Sequence, residues 1–292
     1  MPLFRARQLL HWIYEKYAQS IGDITELSRK LREQLSETAY ISNLAIKKRQ
    51  VSNDGTEKFL FGLEDGETIE SVLLYDKDRL TLCISSQVGC AMGCRFCLTG
   101  KLGFKRDLKA HEIVDQIISV NRHIAPRRTT NIVLMGMGEP LANLNNVTEA
   151  LWRITGLMKI SKRRITLSTA GVVPKIMSLA DSAPRVNLAI SLNATTDEVR
   201  NRIMPVNKRY PLKSLLQACR RFPLETGRRI TFEYVLLQGI NDSAEDARRL
   251  IRLMRGARCK INLIPFNPYK DSEFKSPSAD RTLSFQKILT DA

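Results

Sequence analysis

The stretch Gly89-Cys90-Ala91-Met92-Gly93-Cys94-Arg95-Phe96-Cys97 carries three cysteines in the pattern C-x3-C-x2-C, within a glycine-containing loop. Three thiolates spaced so closely on a flexible loop can bind three corners of a cubane iron–sulfur cluster. Because the loop supplies only three ligands, one iron stays open to a cofactor or substrate group. The pattern therefore predicts a 4Fe-4S cluster with an open coordination position.

Structural zinc is the main alternative for these cysteines. Its usual signature is two separated pairs of ligands. The chain has no second C-x-x-C pair, and its histidines are His11, His111 and His123. The spacing therefore favours the cluster.

Six apolar runs of strand type recur along the chain, each followed by a stretch with helical periodicity. They are LTLCIS (80–85), NIVLMG (131–136), RITLST (164–169), VNLAIS (186–191), ITFEYVLL (230–237) and KINLIP (260–265). Such alternation predicts parallel βα units, here an α/β fold with a partial (β/α)6 barrel. Barrel chemistry lies in the loops at the carboxyl ends of the strands. The cysteine loop follows the first of these runs.

The N-terminal part has a different pattern. Residues 5–18 and 24–38 have helical spacing of apolar residues, and the runs KFLFGLE and TIESVLLY, separated by the turn-forming DGE, predict a β-hairpin. We therefore expect three parts: a helical accessory domain (1–45), a hairpin linker region (46–79) and the barrel (80–292).

Composition points to a nucleic-acid partner in the cytoplasm. The 292 residues include 46 Lys and Arg against 30 Asp and Glu, a formal charge of +16. Any single basic pair can be a solvated helix face, but the excess as a whole favours a polyanion such as RNA or DNA. No run approaches the roughly 20 apolar residues of a membrane span, and the start lacks the order of a signal peptide.

With these residues placed, the chain resembles the RlmN/Cfr family of radical S-adenosylmethionine (SAM) enzymes. The matching stretches are LCISSQVGCAMGCRFC, TNIVLMGMGEPLANLNNV, SKRRITLSTAGVVP, LAISLNATTDEVRNRIMP and CKINLIPFNPY, in order from about residue 60 to 270. The family methylates adenine in ribosomal RNA and, for the RlmN type, in transfer RNA. The resemblance makes Cys90, Cys94 and Cys97 the cluster ligands.

The resemblance also assigns the other site residues. It gives SAM binding to Gly138, Glu139, Ser168, Ser191, Leu192, Asn193 and Asn267. Taken alone, the GMGEP glycines suit a close backbone approach and Glu139 suits the methionine ammonium group, whereas Ser191 to Asn193 is equally compatible with a helix cap. Cys83 matches a strand cysteine that acts late in the reaction, although a lone strand cysteine is often only a small buried group. Glu70 matches a proton acceptor, against the alternative of a solvated strand carboxylate.

The mechanism implied by the resemblance uses two cysteines. One is methylated by SAM, and a second SAM molecule, cleaved reductively at the cluster, gives a radical that takes hydrogen from that methyl group. The carbon radical adds to adenine, and proton loss with disulfide formation releases the product. The family's methyl-carrying cysteine lies beyond a helix resembling TLSFQKILTDA, where this chain stops at Ala292. Cys219 and Cys259 fit a structural role, so we expect these 292 residues to cleave SAM without methylating RNA.

Fewer residues precede FRARQLLHW than is usual in the family. Together with the stop at Ala292, this suggests that residues are missing from both ends. Within the enzyme class we favour methylation of carbon 2 over the Cfr-type methylation of carbon 8. A non-catalytic RNA-binding protein that keeps a cluster is the alternative from another class, and radical chemistry on a peptide or small molecule is a third. We further expect an electron donor such as flavodoxin, no membrane partner, and a monomer.

Overall fold

The computed structural model describes residues 2–292. The α-helices within this range are α1 (Leu3–Tyr14), α2 (Arg29–Thr38), α3 (Leu98–Lys101), α4 (Ala110–His123), α5 (Leu144–Gly156), α6 (Val173–Ser182), α7 (Asp197–Ile203), α8 (Leu212–Arg221), α9 (Ala244–Met254) and α10 (Ala279–Thr290). The strands are β1 (Ala45–Val51), β2 (Glu57–Gly62), β3 (Thr68–Asp76), β4 (Arg79–Cys83), β5 (Gln87–Gly89), β6 (Phe104–Asp107), β7 (Asn131–Leu134), β8 (Ile165–Thr169), β9 (Asn187–Ser191), β10 (Ile230–Leu236) and β11 (Cys259–Pro265).

The chain divides into two compact units, and the first consists of the chain up to Val88 with Asp107–Met137 and Asn145–Ile165. Its strands lie in the order β1-β2-β3-β4-β7. Neighbours from β1 to β4 are antiparallel, and β7 is parallel to β4. Alternate side chains of these strands form the core of the unit. Those without exposed surface include Phe59, Phe61, Ile69, Leu73 and Leu82.

Helix α4 packs against this sheet through polar as well as apolar contacts. The Gln116 side-chain oxygen accepts hydrogen bonds from the Ser71 hydroxyl (2.7 Å) and the Ser85 backbone N–H (2.8 Å). At the end of the helix, the Arg122 guanidinium donates to the carbonyls of Tyr17 (2.7 Å) and Ala18 (2.6 Å). These bonds hold the N-terminal segment on α4.

The second unit consists of Gly89–Arg106, Gly138–Leu144 and Thr166–Ala292. Its strands β8, β9, β10 and β11 are adjacent in that order and all parallel. Ser168 pairs with Ala189, and Ser191 pairs with Glu233, so the strands end at a common edge. Because carboxyl ends of parallel strands meet at the same edge, the polar residues that follow them are brought together there.

The predicted strands are present. Each of the six apolar runs coincides with a strand, β4 or β7 to β11, and β2 with β3 forms the predicted hairpin. Strand β1 was not predicted, because every one of its residues is exposed and no alternation of apolar and polar residues marks it. The first predicted helix, residues 5–18, ends earlier than expected. Helix α1 stops at Tyr14, and Tyr17 has a positive φ of 58° that a helix does not accommodate.

The second predicted helix begins later than expected. Ser28 caps α2, since its side chain accepts a hydrogen bond from the Leu31 N–H. A short 3-10 turn, Ile21–Asp23, precedes the predicted helix, and residues 24–28 are not helical. No helix within residues 2–292 has both the length and the apolar character needed to cross a membrane.

Candidate active site

The cysteine loop is fixed at its start by a glycine that no other residue can replace without movement. Gly89 has φ +74°, and a Cβ on it would lie 1.8 Å from the carbonyl oxygen of Gly103. That same oxygen accepts the N–H of Cys90 at 2.8 Å. The close approach of the two backbones therefore sets the position of the first cysteine.

The remainder of the loop is held by backbone hydrogen bonds. The Cys97 N–H donates to the carbonyl of Cys94 (3.1 Å), and the Arg95 N–H donates to the carbonyl of Ile203, the last residue of α7 (2.9 Å). Gly100 in α3 lies so close behind the loop that a Cβ would be 2.9 Å from the Cys94 oxygen. Backbone hydrogen bonds and close packing therefore fix the conformation of the loop that carries the three cysteines.

The cysteine side chains lie close enough to affect one another electrostatically. Burial raises the pKa of the Cys90 thiol to about 11, and Glu139 and Cys97 add to the shift. Burial, then Cys97 and Cys90, raise the pKa of Cys94 to about 12, which Arg200 opposes. Iron bound here would supply the positive charge that keeps these thiols ionised.

The donor set suits a cluster. Within residues 2–292, no three Cys, His, Asp or Glu side chains converge as ligands of a single metal ion. A cubane makes a different demand, because each of its thiolates binds a separate iron. Three neighbouring, half-buried soft sulfur donors on a fixed loop fit that demand.

Glu139 follows Gly138, whose φ of +104° turns the chain after the GMG segment. Its carboxylate is buried and accepts backbone N–H groups from Leu141 (3.0 Å) and Ala170 (2.6 Å). Burial raises the pKa of Glu139, against the opposing effect of the Thr169 hydroxyl and these two N–H groups. The carboxylate expected to face the methionine ammonium group is therefore bound by protein donors.

Two serines predicted to bind SAM converge on a carboxylate that the sequence analysis missed. The Ser168 hydroxyl donates to Glu233 Oε2 at 2.7 Å. Burial raises the pKa of Glu233, and hydrogen bonds with the side chains of Ser168 and Ser191 oppose that rise. Glu233 lies in the middle of β10 and is 9% exposed. A charged residue inside the apolar run ITFEYVLL was the available signal.

The remaining predicted SAM residues differ in their surroundings. Leu192 is fully buried. The Asn193 side-chain oxygen accepts the Val235 N–H (2.8 Å), and its backbone has φ 57°. Asn267 is exposed in the loop directly after β11. The cluster cysteines and all of the predicted SAM residues belong to the second unit.

The two predicted catalytic residues belong to the first unit. Cys83 is the last residue of β4, half-buried, and pairs in the sheet with Val72 and Val133. Glu70 is half-exposed on β3, where its carboxylate lies 3.0 Å from Lys58 Nζ.

Comparison with known proteins identifies the family. The sequence matches the Radical SAM superfamily over residues 84–251 and the ribosomal RNA large subunit methyltransferase N-terminal domain over residues 2–41. A protein of Pelobacter propionicus named dual-specificity RNA methyltransferase RlmN is 54% identical over 290 residues, which are 99% of this chain and 83% of that protein. The chain belongs to the RlmN family.

A second RlmN relative, from Syntrophobacter fumaroxidans, is 52% identical over 99% of this chain and 85% of its own length. The crystal structure of a radical SAM methyltransferase from Sphaerobacter thermophilus matches with a TM-score of 0.95 and 44% identity, covering 100% of this chain and 87% of that one. These matches confirm the predicted fold class. They also confirm the predicted enzyme class, a SAM-dependent methyltransferase, and its two cofactors, because RlmN-family enzymes use SAM and a 4Fe-4S cluster.

Proposed function

We propose that the native gene product to which this chain belongs methylates carbon 2 of an adenine in large-subunit ribosomal RNA and in transfer RNA. The observation that carries the proposal is the fixed loop that presents the half-buried side chains of Cys90, Cys94 and Cys97. The names of the RlmN relatives and the match of residues 2–41 to a ribosomal RNA methyltransferase domain support RNA as the substrate. The net charge of +16 suits a polyanion.

We assign the three cysteines as cluster ligands. A cluster bound there supplies one electron for the reductive cleavage of SAM. Around it, the backbone at Gly138 and Glu139 and the residues at the strand ends would orient SAM. These residues are Ser168, Ser191, Asn193 and Asn267, together with Leu192, whose side chain is buried and which would contribute its backbone. Because Glu139 already satisfies two backbone N–H groups, its own role is to hold the loop whose backbone meets the cofactor.

Cys83 and Glu70 complete the proposed chemistry. We assign Cys83 as the thiol that acts late, when the enzyme–RNA bond is broken. Its place at the carboxyl end of β4 supports this role, since barrel enzymes hold reactive groups at strand ends. We assign Glu70 as the acceptor of the proton lost from the adenine ring. The Glu70 carboxylate lies 3.0 Å from Lys58 Nζ.

The proposal extends to organisation and partners. We infer that residues 1–45 form an accessory domain, 46–79 a hairpin region and 80–292 the barrel. We further propose a cytoplasmic monomer that receives its electron from a flavodoxin-type donor.

The position of the methyl group tests the function directly. The native gene would be expressed in a bacterium whose own adenine carbon-2 methyltransferase gene has been deleted, and the ribosomal and transfer RNA digested to nucleosides. We expect mass spectrometry to find 2-methyladenosine in both RNAs. Finding 8-methyladenosine instead would identify a Cfr-type activity, and finding neither, with RNA binding retained, would favour a non-catalytic RNA-binding protein.

A further inference from the structure

Arg200 on α7 is among the largest fully buried side chains of the chain, with 0% of its surface exposed. Its guanidinium donates to the carbonyls of Leu192 (2.9 Å), Ala170 (2.8 Å) and Ser191 (3.0 Å), and to the side-chain oxygen of Asn207 (3.0 Å). These acceptors come from the residue after β8, the end of β9 with the residue after it, and the turn after α7. Arg200 therefore joins the strand ends that carry the predicted SAM residues.

All four acceptors are uncharged oxygens, so hydrogen bonding satisfies the donors without cancelling the charge. The nearby carboxylate of Asp197 accepts a hydrogen bond from the Asn207 amide at 2.9 Å and acts on Arg200 electrostatically. Burial lowers the pKa of Arg200 to about 10, which leaves the side chain protonated at neutral pH. The second unit thus contains a buried positive charge.

This charge lies next to the cysteine loop. Cys94 packs against the apolar cluster that contains Ile203, the last residue of the helix of Arg200, and Met204, the residue that follows it. The Arg95 N–H is bonded to the Ile203 carbonyl at 2.9 Å. Arg200 and Cys94 also interact electrostatically, each favouring the charged form of the other. The fold therefore places the positive guanidinium where it can stabilise negative charge on the cysteine loop.

We propose that Arg200 is a positioning residue whose buried positive charge raises the reduction potential of the 4Fe-4S cluster. The inference rests on cluster binding by Cys90, Cys94 and Cys97. Reduction adds one electron from the donor and makes the cluster more negative by one charge. A fixed cation in a low-dielectric surrounding stabilises that added charge, and net charge and solvent exposure are known determinants of cluster potentials. Arg200 needs no contact with SAM or RNA for this role.

The test is a redox titration of the anaerobically reconstituted 292-residue chain, followed by electron paramagnetic resonance of the reduced cluster. R200Q removes the charge and keeps two amide donors, whereas R200K keeps the charge and loses the planar fork. R202Q removes an exposed charge from the same helix and is the matched control. We expect a shift to more negative potential for R200Q, and potentials near that of the unchanged protein for R200K and R202Q.

Iron and sulfide content is measured for each variant. It separates an effect on the reduction potential from a loss of cluster binding. If R200Q holds a full cluster at the unchanged potential, or if R200K shifts as far as R200Q, the charge has no such role and the proposal is overturned. If neither variant binds iron, N207D decides, because it sets a carboxylate against Arg200 and leaves the arginine in place. N201D adds the same charge without that contact. We expect N207D to shift the potential negatively and further than N201D, and equal shifts would contradict the proposal.

Discussion

The carboxylate of Glu139 accepts the backbone N–H of Ala170 at 2.6 Å, while its other oxygen accepts the N–H of Leu141 at 3.0 Å. The side chain therefore joins the loop after β7 to the loop after β8, both within the second unit. It also contributes to the electrostatic surroundings of Cys90 and Cys94. A residue that resembles a ligand-binding carboxylate thus also has a structural role next to the cluster loop.

Replacement of Glu139 by Gln should destabilise the protein. Gln has one oxygen for two backbone N–H groups, so its amide NH2 is left facing a donor. We expect a loss of about 1 to 3 kcal/mol in the free energy of unfolding, measured by urea denaturation. E149Q, at an exposed carboxylate that pairs with Arg153, is the control and should change stability by less than about 0.5 kcal/mol. Equal effects of the two substitutions would contradict the structural role.

Replacement of Gly89 by Ala should prevent formation of the cluster site. The residue has φ +74°, and its Cβ would lie 1.8 Å from the Gly103 oxygen, so the two backbones must separate. The strain of the left-handed conformation adds about 1 to 2 kcal/mol. Gly55 has a similar φ of +83° with no atom within 4 Å of its Cβ position, so G55A carries the strain alone. We expect G89A to lose most of its iron after anaerobic reconstitution and G55A to keep it. Equal iron contents would show that the close approach is unimportant.

Asp115 makes stability depend on pH. Burial raises the pKa of its carboxyl from 3.8 to about 6, despite the hydrogen bond from the Ser42 hydroxyl at 2.5 Å and the nearby Arg122 and Arg153. The native state therefore binds more protons than the unfolded state between these values, and stability falls as pH rises from about 4 to about 6. At about 1.4 kcal/mol per pKa unit, the ionised carboxylate costs at most about 3 kcal/mol above pH 7.

Replacement of Asp115 by Asn should remove this dependence. We expect D115N to be more stable than the unchanged protein at pH 7.5, by about 1 to 3 kcal/mol, and to lose that advantage near pH 4. Urea denaturation at a series of pH values measures both. If the difference between the two proteins is the same at every pH, Asp115 does not titrate as described.

Replacement of Cys83 by Ser should separate SAM cleavage from RNA methylation. Serine fits the half-buried site at the end of β4 and keeps the backbone pairing with Val72 and Val133. We expect unchanged iron content and SAM cleavage, with methylation of RNA by the native gene product reduced about a thousandfold or more. C219S, at a buried cysteine of α8, should lower stability and leave methylation measurable. Methylation by C83S near the unchanged rate would remove Cys83 from the mechanism.

The sequence was informative where a local pattern determines structure. The apolar runs predicted β4 and β7 to β11 because a buried parallel strand is apolar along its length. The cysteine motif was also predictable from a local pattern, because its three cysteines lie within eight residues. Strand β1 was not predicted, because all of its residues are exposed and its central segment, Lys47-Lys48-Arg49, resembles a solvated loop.

Contacts between distant residues could not be predicted in this way. Arg200 sits among the charged residues of DEVRNRI and resembles a surface arginine, yet the fold buries it against carbonyls of residues 170 and 191. Glu139 was expected to face a ligand, and its partner Ala170 lies 31 residues later in the sequence. Glu233 meets Ser168 over a separation of 65 residues. Such pairings depend on the order and register of the strands.

The most direct test of a radical SAM site at Cys90, Cys94 and Cys97 is the formation of 5'-deoxyadenosine. The 292-residue chain would be reconstituted anaerobically with iron and sulfide, reduced with dithionite, supplied with SAM and analysed by liquid chromatography with mass spectrometry. We predict 5'-deoxyadenosine from the unchanged chain and none from C94A. No product from a chain that holds a full cluster, or equal product from C94A, would contradict the assignment.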